Sequence, residues 1–261
     1  MRAIREPHAT RVAVAAVVAA GVVLRVWVYR SEVALPDSDE AIVGLMARHL
    51  LHGELTTFYW GQPYGGPQEA WLAAPLFAVF GSSLLTLRLV PMALVAVACV
   101  LVWRIGIRTI GPRTGVAAAC ILWLWPPYTV ARTTGEWGFY ASDLVYCALL
   151  LLLALRIVER PSVLRVAVLG LAVGLAFWQT AQIIPIALPV LAWTVWKAPS
   201  ALRHAWAGVV LAVVGALPWV VWNVRHDFAS VLPRSDPGRT RTASGCSRPR
   251  SCRCSWAFAL R

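Results

Sequence analysis

At 261 residues, 59% hydrophobic and only 14% charged, with 14 tryptophans, the chain carries more apolar surface than a soluble core can bury. That excludes an ordinary globular domain and points to an all-α polytopic membrane protein. The formal charge of +12 would suit nucleic acid, but the basic residues are nearly all Arg, in short groups between apolar segments and again in the last thirty residues. This is the charge pattern of membrane topology with a basic tail, and no nucleic-acid partner is expected.

Stretches long enough to cross a bilayer, about 20 apolar residues each, are expected at 11–30, 84–106, 114–131, 138–157, 162–180, 182–197 and 204–223, giving about seven transmembrane helices. The third ends at Trp125-Pro126-Pro127 and the sixth contains Pro185 and Pro189, so either could be kinked, tilted or re-entrant. Arg2, Arg5, Arg11, Arg104, Arg108, Arg113, Arg156, Arg160, Arg165, Lys197 and Arg203 fall on one side of this arrangement. The opposite side holds only Arg30, Arg48, Arg88 and Arg132, so residues 1–10 are expected in the cytoplasm. The first segment lacks a small-residue cleavage site before Trp27-Val28-Tyr29-Arg30 and reads as a retained anchor.

Between the first two spans, residues 31–83 form a long first extracytoplasmic loop. It opens on Pro36-Asp37-Ser38-Asp39-Glu40, three carboxylates within four residues. Such mutual repulsion suits a cation, a sugar hydroxyl or a proton to be removed. The same residues can equally cap a helix, with Ser38 or Asp39 as the cap. The spacing of Ile42, Leu45, Met46, His49 and Leu50 predicts an amphipathic surface helix from Asp39 to His52, and residues 68–80 a second apolar helix ending at Gly81. Between them lies Phe58-Tyr59-Trp60-Gly61-Gln62-Pro63-Tyr64-Gly65-Gly66-Pro67-Gln68-Glu69, rings and amides suited to a sugar or a lipid headgroup, and equally to an interfacial aromatic belt.

The second outer loop, 128–138, carries Arg132-Thr133-Thr134-Gly135-Glu136. Arg132 and Arg88 are candidate phosphate ligands, since a guanidinium binds two oxygens in one plane. Glu136 could support an acceptor, share a divalent cation with Asp39, or simply pair with Arg132. Asp143, one turn inside the fourth span, needs a partner such as Tyr140 or a water-facing site. Gln179 and Gln182 flank the turn after the fifth span and could line the same cavity. Cys99, Cys120 and Cys147 lie within apolar spans as packing residues, and no metal-ligand pattern surrounds any cysteine.

The order of these features resembles the GT-C superfamily of membrane glycosyltransferases, most closely its bacterial protein O-mannosyltransferase and aminoarabinose transferase-like members. The likeness covers about residues 10–225. Asp39-Glu40 opens an outer-surface helix, Gly61-Gln62-Pro63-Tyr64-Gly65 precedes Glu69, and Phe80-Gly81-Ser82-Ser83 leads into Leu87-Arg88-Leu89-Val90-Pro91. The resemblance implies transfer of a sugar from a polyprenyl-phosphate carrier to a glycan, lipid or protein acceptor outside a bacterial cytoplasmic membrane, usually with inversion. It implies Asp39 as general base with Glu40 beside it, and Glu69, Gln62, Tyr64, Arg132, Glu136 and Arg88 around the substrates. Beyond about residue 224 the pattern departs from the family. Residues 225–261 are rich in Arg, Ser, Cys and Pro, including Cys246, Cys252 and Cys254, and read as a disordered or out-of-frame tail on a C-terminally truncated chain. A non-catalytic membrane protein that binds the carrier lipid or a partner is the alternative. A transporter is disfavoured by the nearly polar-free span interiors.

Overall fold

The computed structural model describes residues 8–31, 35–125 and 127–231. Residues 232–261, with the three cysteines of the tail, lie outside the described residues, as does most of the N-terminal segment. Within them the chain is helical: α1 His8–Arg30, α2 Ser38–Leu51, α3 Gln68–Phe80, α4 Leu84–Thr109, α5 Pro112–Leu124, α6 Pro127–Arg132, α7 Tyr140–Glu159, α8 Val163–Gln179, α9 Ile184–Lys197, α10 Ala205–Gly215 and α11 Leu217–Arg225.

By length and composition α1, α4 and α7 are each able to cross a membrane unbroken. The chain is therefore a multi-pass helical membrane protein. The other expected segments are helical but short or interrupted. Segments 181–197 and 199–215 bend on each other by 112°, the geometry of a broken span or of a re-entrant loop. The third segment divides into α5 and α6 because Trp125, preceding a proline, is forced extended at φ −147° and ψ 147°. The seventh divides into α10 and α11 at Ala216, two residues before Pro218. The second outer loop starts later than expected, since residues 127–132 are the helix α6.

The break after α5 leaves helix-end carbonyls without partners, and a side chain from α1 meets one of them. Arg25, 2% exposed, donates from Nη1 to Trp123 O at 3.0 Å and to Gly21 O at 3.2 Å, with its guanidinium 3.9 Å above the Trp123 ring. A cation at a helix C-terminus is favoured by the dipole, and stacking on indole lowers the cost of keeping it in an apolar setting.

Two packed units result. The first joins α2, α3 and α4 through Val43, Met46, Ala73, Phe77, Leu87 and Val90. The helices of the first loop thus have a buried core of their own and dock on α4. The second joins α7, α8 and α9 through Leu150, Ile157, Leu169, Ala176 and Ile183. Against it α10 packs on α8 with almost no side chain between them: a Cβ at Gly170 would fall inside the backbone of Gly208. Apolar side chains gain little from leaving lipid, so such contacts rest on backbone proximity and dispersion. Gly170→Ala is accordingly expected to cost about 1–3 kcal/mol by forcing the helices apart. Gly208→Ala, whose Cβ meets only the Val166 Cγ1 at 3.1 Å and Val166 O at 3.3 Å, should cost less. Thermal unfolding of both variants in detergent, followed by tryptophan fluorescence, checks the order.

Candidate active site

The acidic motif is resolved into three carboxylates with separate surroundings. Asp37, not Ser38 or Asp39, caps α2: its backbone is extended and its Oδ1 accepts from Glu40 N at 3.0 Å. The reason is register, since the helix begins at Ser38 and the residue before it must supply the cap. Asp39 and Glu40 then sit in the first turn, where the helix dipole favours negative charge. They differ in surroundings. Asp39 is exposed, and Glu40 is 3% exposed.

Glu40 meets Arg88 of α4 in a bidentate pair, Nε to Oε1 at 2.6 Å and Nη2 to Oε2 at 2.7 Å. Arg88 is 1% exposed, and its guanidinium also lies 5.3 Å from the Tyr29 ring centroid. With both groups withdrawn from water the pair anchors α2 on α4, and Glu40 is engaged there rather than open to a substrate.

Asp39 has a different partner. The Tyr59 hydroxyl lies 3.0 Å from Asp39 O, to which it donates, and 3.4 Å from Asp39 Oδ1. Burial first, then the adjacent Asp39 carboxylate, push the Tyr59 phenol well above its ordinary value, so it remains a donor. Tyr59 N donates to Gly65 O at 2.7 Å, which closes the aromatic turn. Removing the hydroxyl in Tyr59→Phe should lower kcat for transfer about tenfold, the worth of one hydrogen bond near a charged group, with KM little changed. Steady-state kinetics on the purified protein read this directly.

The third acid cluster is assembled from three parts of the chain. Glu69, in the first turn of α3, is 2% exposed; its Oε1 accepts from Ser142 N at 2.9 Å and Ser142 Oγ at 2.7 Å at the start of α7. Gln179, fully buried at the end of α8, donates to Ser142 Oγ at 3.0 Å and accepts from Gln68 N at 3.3 Å. Glu136 is fully buried, its Oε1 accepting from Gly138 N at 3.0 Å and its backbone N donating to Glu40 Oε1 at 3.1 Å. The Glu69 and Glu136 carboxyls are neighbours in the same buried region and act on each other. Burial raises both carboxyls above the usual range, Glu136 well above it because Glu69 adds its negative charge.

Glu136 does not pair with Arg132. That guanidinium lies over Trp137 at 4.1 Å, within 5.3 Å of Tyr128 and 5.4 Å of Tyr140. Tyr64 is 58% exposed and Gln62 half-buried on the turn that precedes α3. Gly66 in that turn touches α8: its N donates to Gln179 O at 2.8 Å, and a Cβ there would lie 2.7 Å from Gln179 Oε1. Trp178 Nε1 donates to Thr57 O at 2.9 Å and fastens the same loop. Gln182 is exposed, outside this network, and Asp143 Oδ1 makes no hydrogen bond to Tyr140 or any other described residue.

Among the described residues no three or more His, Cys, Asp or Glu side chains are grouped to hold a metal ion. The donors at hand do not fit the divalent cation shared by Asp39 and Glu136 that the sequence allows. Glu40 is held by Arg88, and Glu136 turns to Glu69. A cavity of about 610 Å³ lies between α1, α4 and α5, lined by Val18, Cys99, Trp103 and Trp123 and by none of the acids of the motif. It contributes no charged side chain.

Ser142 and Tyr59 escaped the sequence reading as site residues. A serine beside Asp143 in an otherwise apolar helix was a usable signal, since polar groups in a span need partners. Tyr59 was hidden among neighbouring aromatics and carries no mark of its own.

The membrane-crossing helices and the family match that follows make this a membrane glycosyltransferase of the GT-C type. Residues 63–222 match the family described as dolichyl-phosphate-mannose-protein mannosyltransferase, and the chain belongs to that family. No curated protein and no solved structure matches it significantly.

Proposed function

We propose that the protein transfers a sugar from a polyprenyl-phosphate carrier to a hydroxyl on a glycan, lipid or protein acceptor at the extracytoplasmic face of a bacterial cytoplasmic membrane. The observation that carries the reading is the division of labour between neighbours: Asp39 is open to solvent and oriented by Tyr59, while Glu40 beneath it is locked to Arg88. A base must be both accessible and fixed, and that is how this turn of α2 supplies one.

In the reaction the acceptor oxygen attacks the anomeric carbon, its proton passes to Asp39, and the carbon–oxygen bond to the carrier phosphate breaks. The electron pair leaves on the polyprenyl phosphate, and in-line attack inverts the anomeric centre. Arg132, half-buried among three rings and outside any ion pair among the described residues, is suited to the departing phosphate. Tyr64 and Gln62, exposed and half-buried on the aromatic turn, are suited to sugar hydroxyls, while buried Glu69 supports that turn from beneath. With the N-terminus in the cytoplasm and α1 crossing the membrane, this site would face outside, in accord with the Arg distribution.

The test uses the purified chain in phospholipid vesicles with polyprenyl-phosphate-linked mannose and a panel of acceptors, and follows release of free polyprenyl phosphate. Acceptor-dependent release supports the proposal. Absence of release and of donor binding overturns it. Labelling of a Ser38→Cys variant from outside intact cells tests the orientation.

A further inference from the structure

We propose that Glu69 and Glu136 hold one proton between them and act as the positioning pair that seats the Asp39 turn of α2 against α3 and α7. The inference deepens the transferase reading and rests on it for its kinetic part.

The argument starts from donors and acceptors. Two ionised carboxylates have no hydrogen atom to share, so a hydrogen bond between buried acids requires that one be protonated. Their hydrogen bonds say which. Glu69 Oε1 already receives two from Ser142, an arrangement that favours its ionised form. Glu136 Oε1 receives only the Gly138 N–H, and Glu136 Oε2 is buried with no N–H or other hydroxyl donor to satisfy it. The proton is therefore assigned to Glu136, whose buried Oε2 otherwise goes without a partner, with the Glu69 carboxylate as its neighbour.

Charge leads to the same place. Glu40, Glu69 and Glu136 are all at most 3% exposed, and the guanidinium of Arg88 is paired with Glu40. With every acid ionised this buried group would carry two uncompensated negative charges, which a low-dielectric interior does not tolerate. The other titratable groups facing the pair make matters worse rather than better. Asp143 and Tyr146 of α7 lie within electrostatic reach of Glu69, and Tyr59 of the first loop within reach of Glu136. None of them supplies a positive charge.

What the proton holds together is specific. The backbone N of Glu136 grips Glu40 of α2, next to Asp39, while the proton would tie its carboxyl to the neighbouring Glu69 of α3, which is fixed to α7 through Ser142. The segment around Glu136 is thus clamped at both ends. Loss of the proton would turn the second contact from an attraction into a repulsion between like charges. A carboxyl raised by folding favours the native arrangement at low pH, and that advantage is lost as pH rises through the raised value. The clamp therefore weakens on the alkaline side.

Infrared spectroscopy of the full chain in vesicles tests the proton, and the pH profile of kcat tests its use. At neutral pH the wild type should show a protonated carboxyl stretch that shifts in deuterium oxide, is abolished by Glu136→Gln, and survives Asp143→Asn. The amide introduced by Glu136→Gln donates the same hydrogen bond without titrating, so the alkaline fall in kcat should move at least tenfold in hydroxide concentration to higher pH. Glu136→Ala, lacking any donor, should lose activity throughout. A wild-type spectrum without that band overturns the inference, and so does a Glu136→Gln profile that superimposes on the wild type. If Glu136→Gln does not fold, Glu69→Gln takes its place in both measurements. If no transfer is found at all, the band still decides whether the shared proton exists.

Discussion

Asp39→Asn is expected to lower kcat for sugar transfer by about 10²- to 10⁴-fold, the usual contribution of a positioned general base. An acceptor hydroxyl cannot attack at neutral pH unless its proton is removed as the new bond forms. The amide keeps the size of the side chain and the hydrogen bond from Tyr59, but cannot take the proton. Donor binding should survive, because Arg132, proposed for the carrier phosphate, lies on another segment, so KM for the carrier lipid should stay within a few-fold. Quench-flow or steady-state assays on protein that elutes as the wild type does from a sizing column give both constants. A kcat within about threefold of wild type, far short of a base's contribution, would move the base to another residue.

Arg88→Ala carries the largest expected cost in stability, about 3–5 kcal/mol, because it leaves Glu40 buried without its partner. The side chains are 1% and 4% exposed, so solvent does not come to the rescue of either. The effect should appear as a lower unfolding temperature in detergent. Glu40→Leu combined with Arg88→Met, which removes both charges and retains volume, should recover much of it, as buried ion pairs often can be replaced by apolar groups. It would not recover activity if the pair is what aims α2, and comparing the double variant in both assays separates anchoring from packing.

The class of the molecule and the places of its helical segments could be read from the sequence, because apolar length is a property of local composition. The beginning of α3 at Gln68 and its end at Gly81 were equally visible. The α2 cap fell on Asp37 rather than its neighbours because three adjacent polar residues all have cap chemistry, and only the register of the helix chooses among them. The subdivision of the third and seventh segments follows prolines that were plainly present, but whether a proline kinks a helix or ends it depends on what satisfies the freed carbonyls. For α5 part of that answer lies 98 residues away at Arg25. The acids of the site were visible one by one. Their pairing was not, since joining Glu40 to Arg88 and Glu69 to Glu136 and Ser142 requires three segments whose relative placement no local pattern encodes.

The fastening of the first loop to α8 and α11 also sets an order of events during synthesis. Gly66 is bonded to Gln179, Thr57 to Trp178, and the Phe58 ring rests edge-on against Trp222 at 4.8 Å. A ribosome delivers these partners more than a hundred residues after the loop itself, at a pace of about 5–20 residues per second. For several seconds the nascent loop stands outside the bilayer with its acids in place and its floor missing. Assembly of the site thus waits for α8 and α11, and a chain halted before α8 carries every acid of the motif without the surface that arranges them.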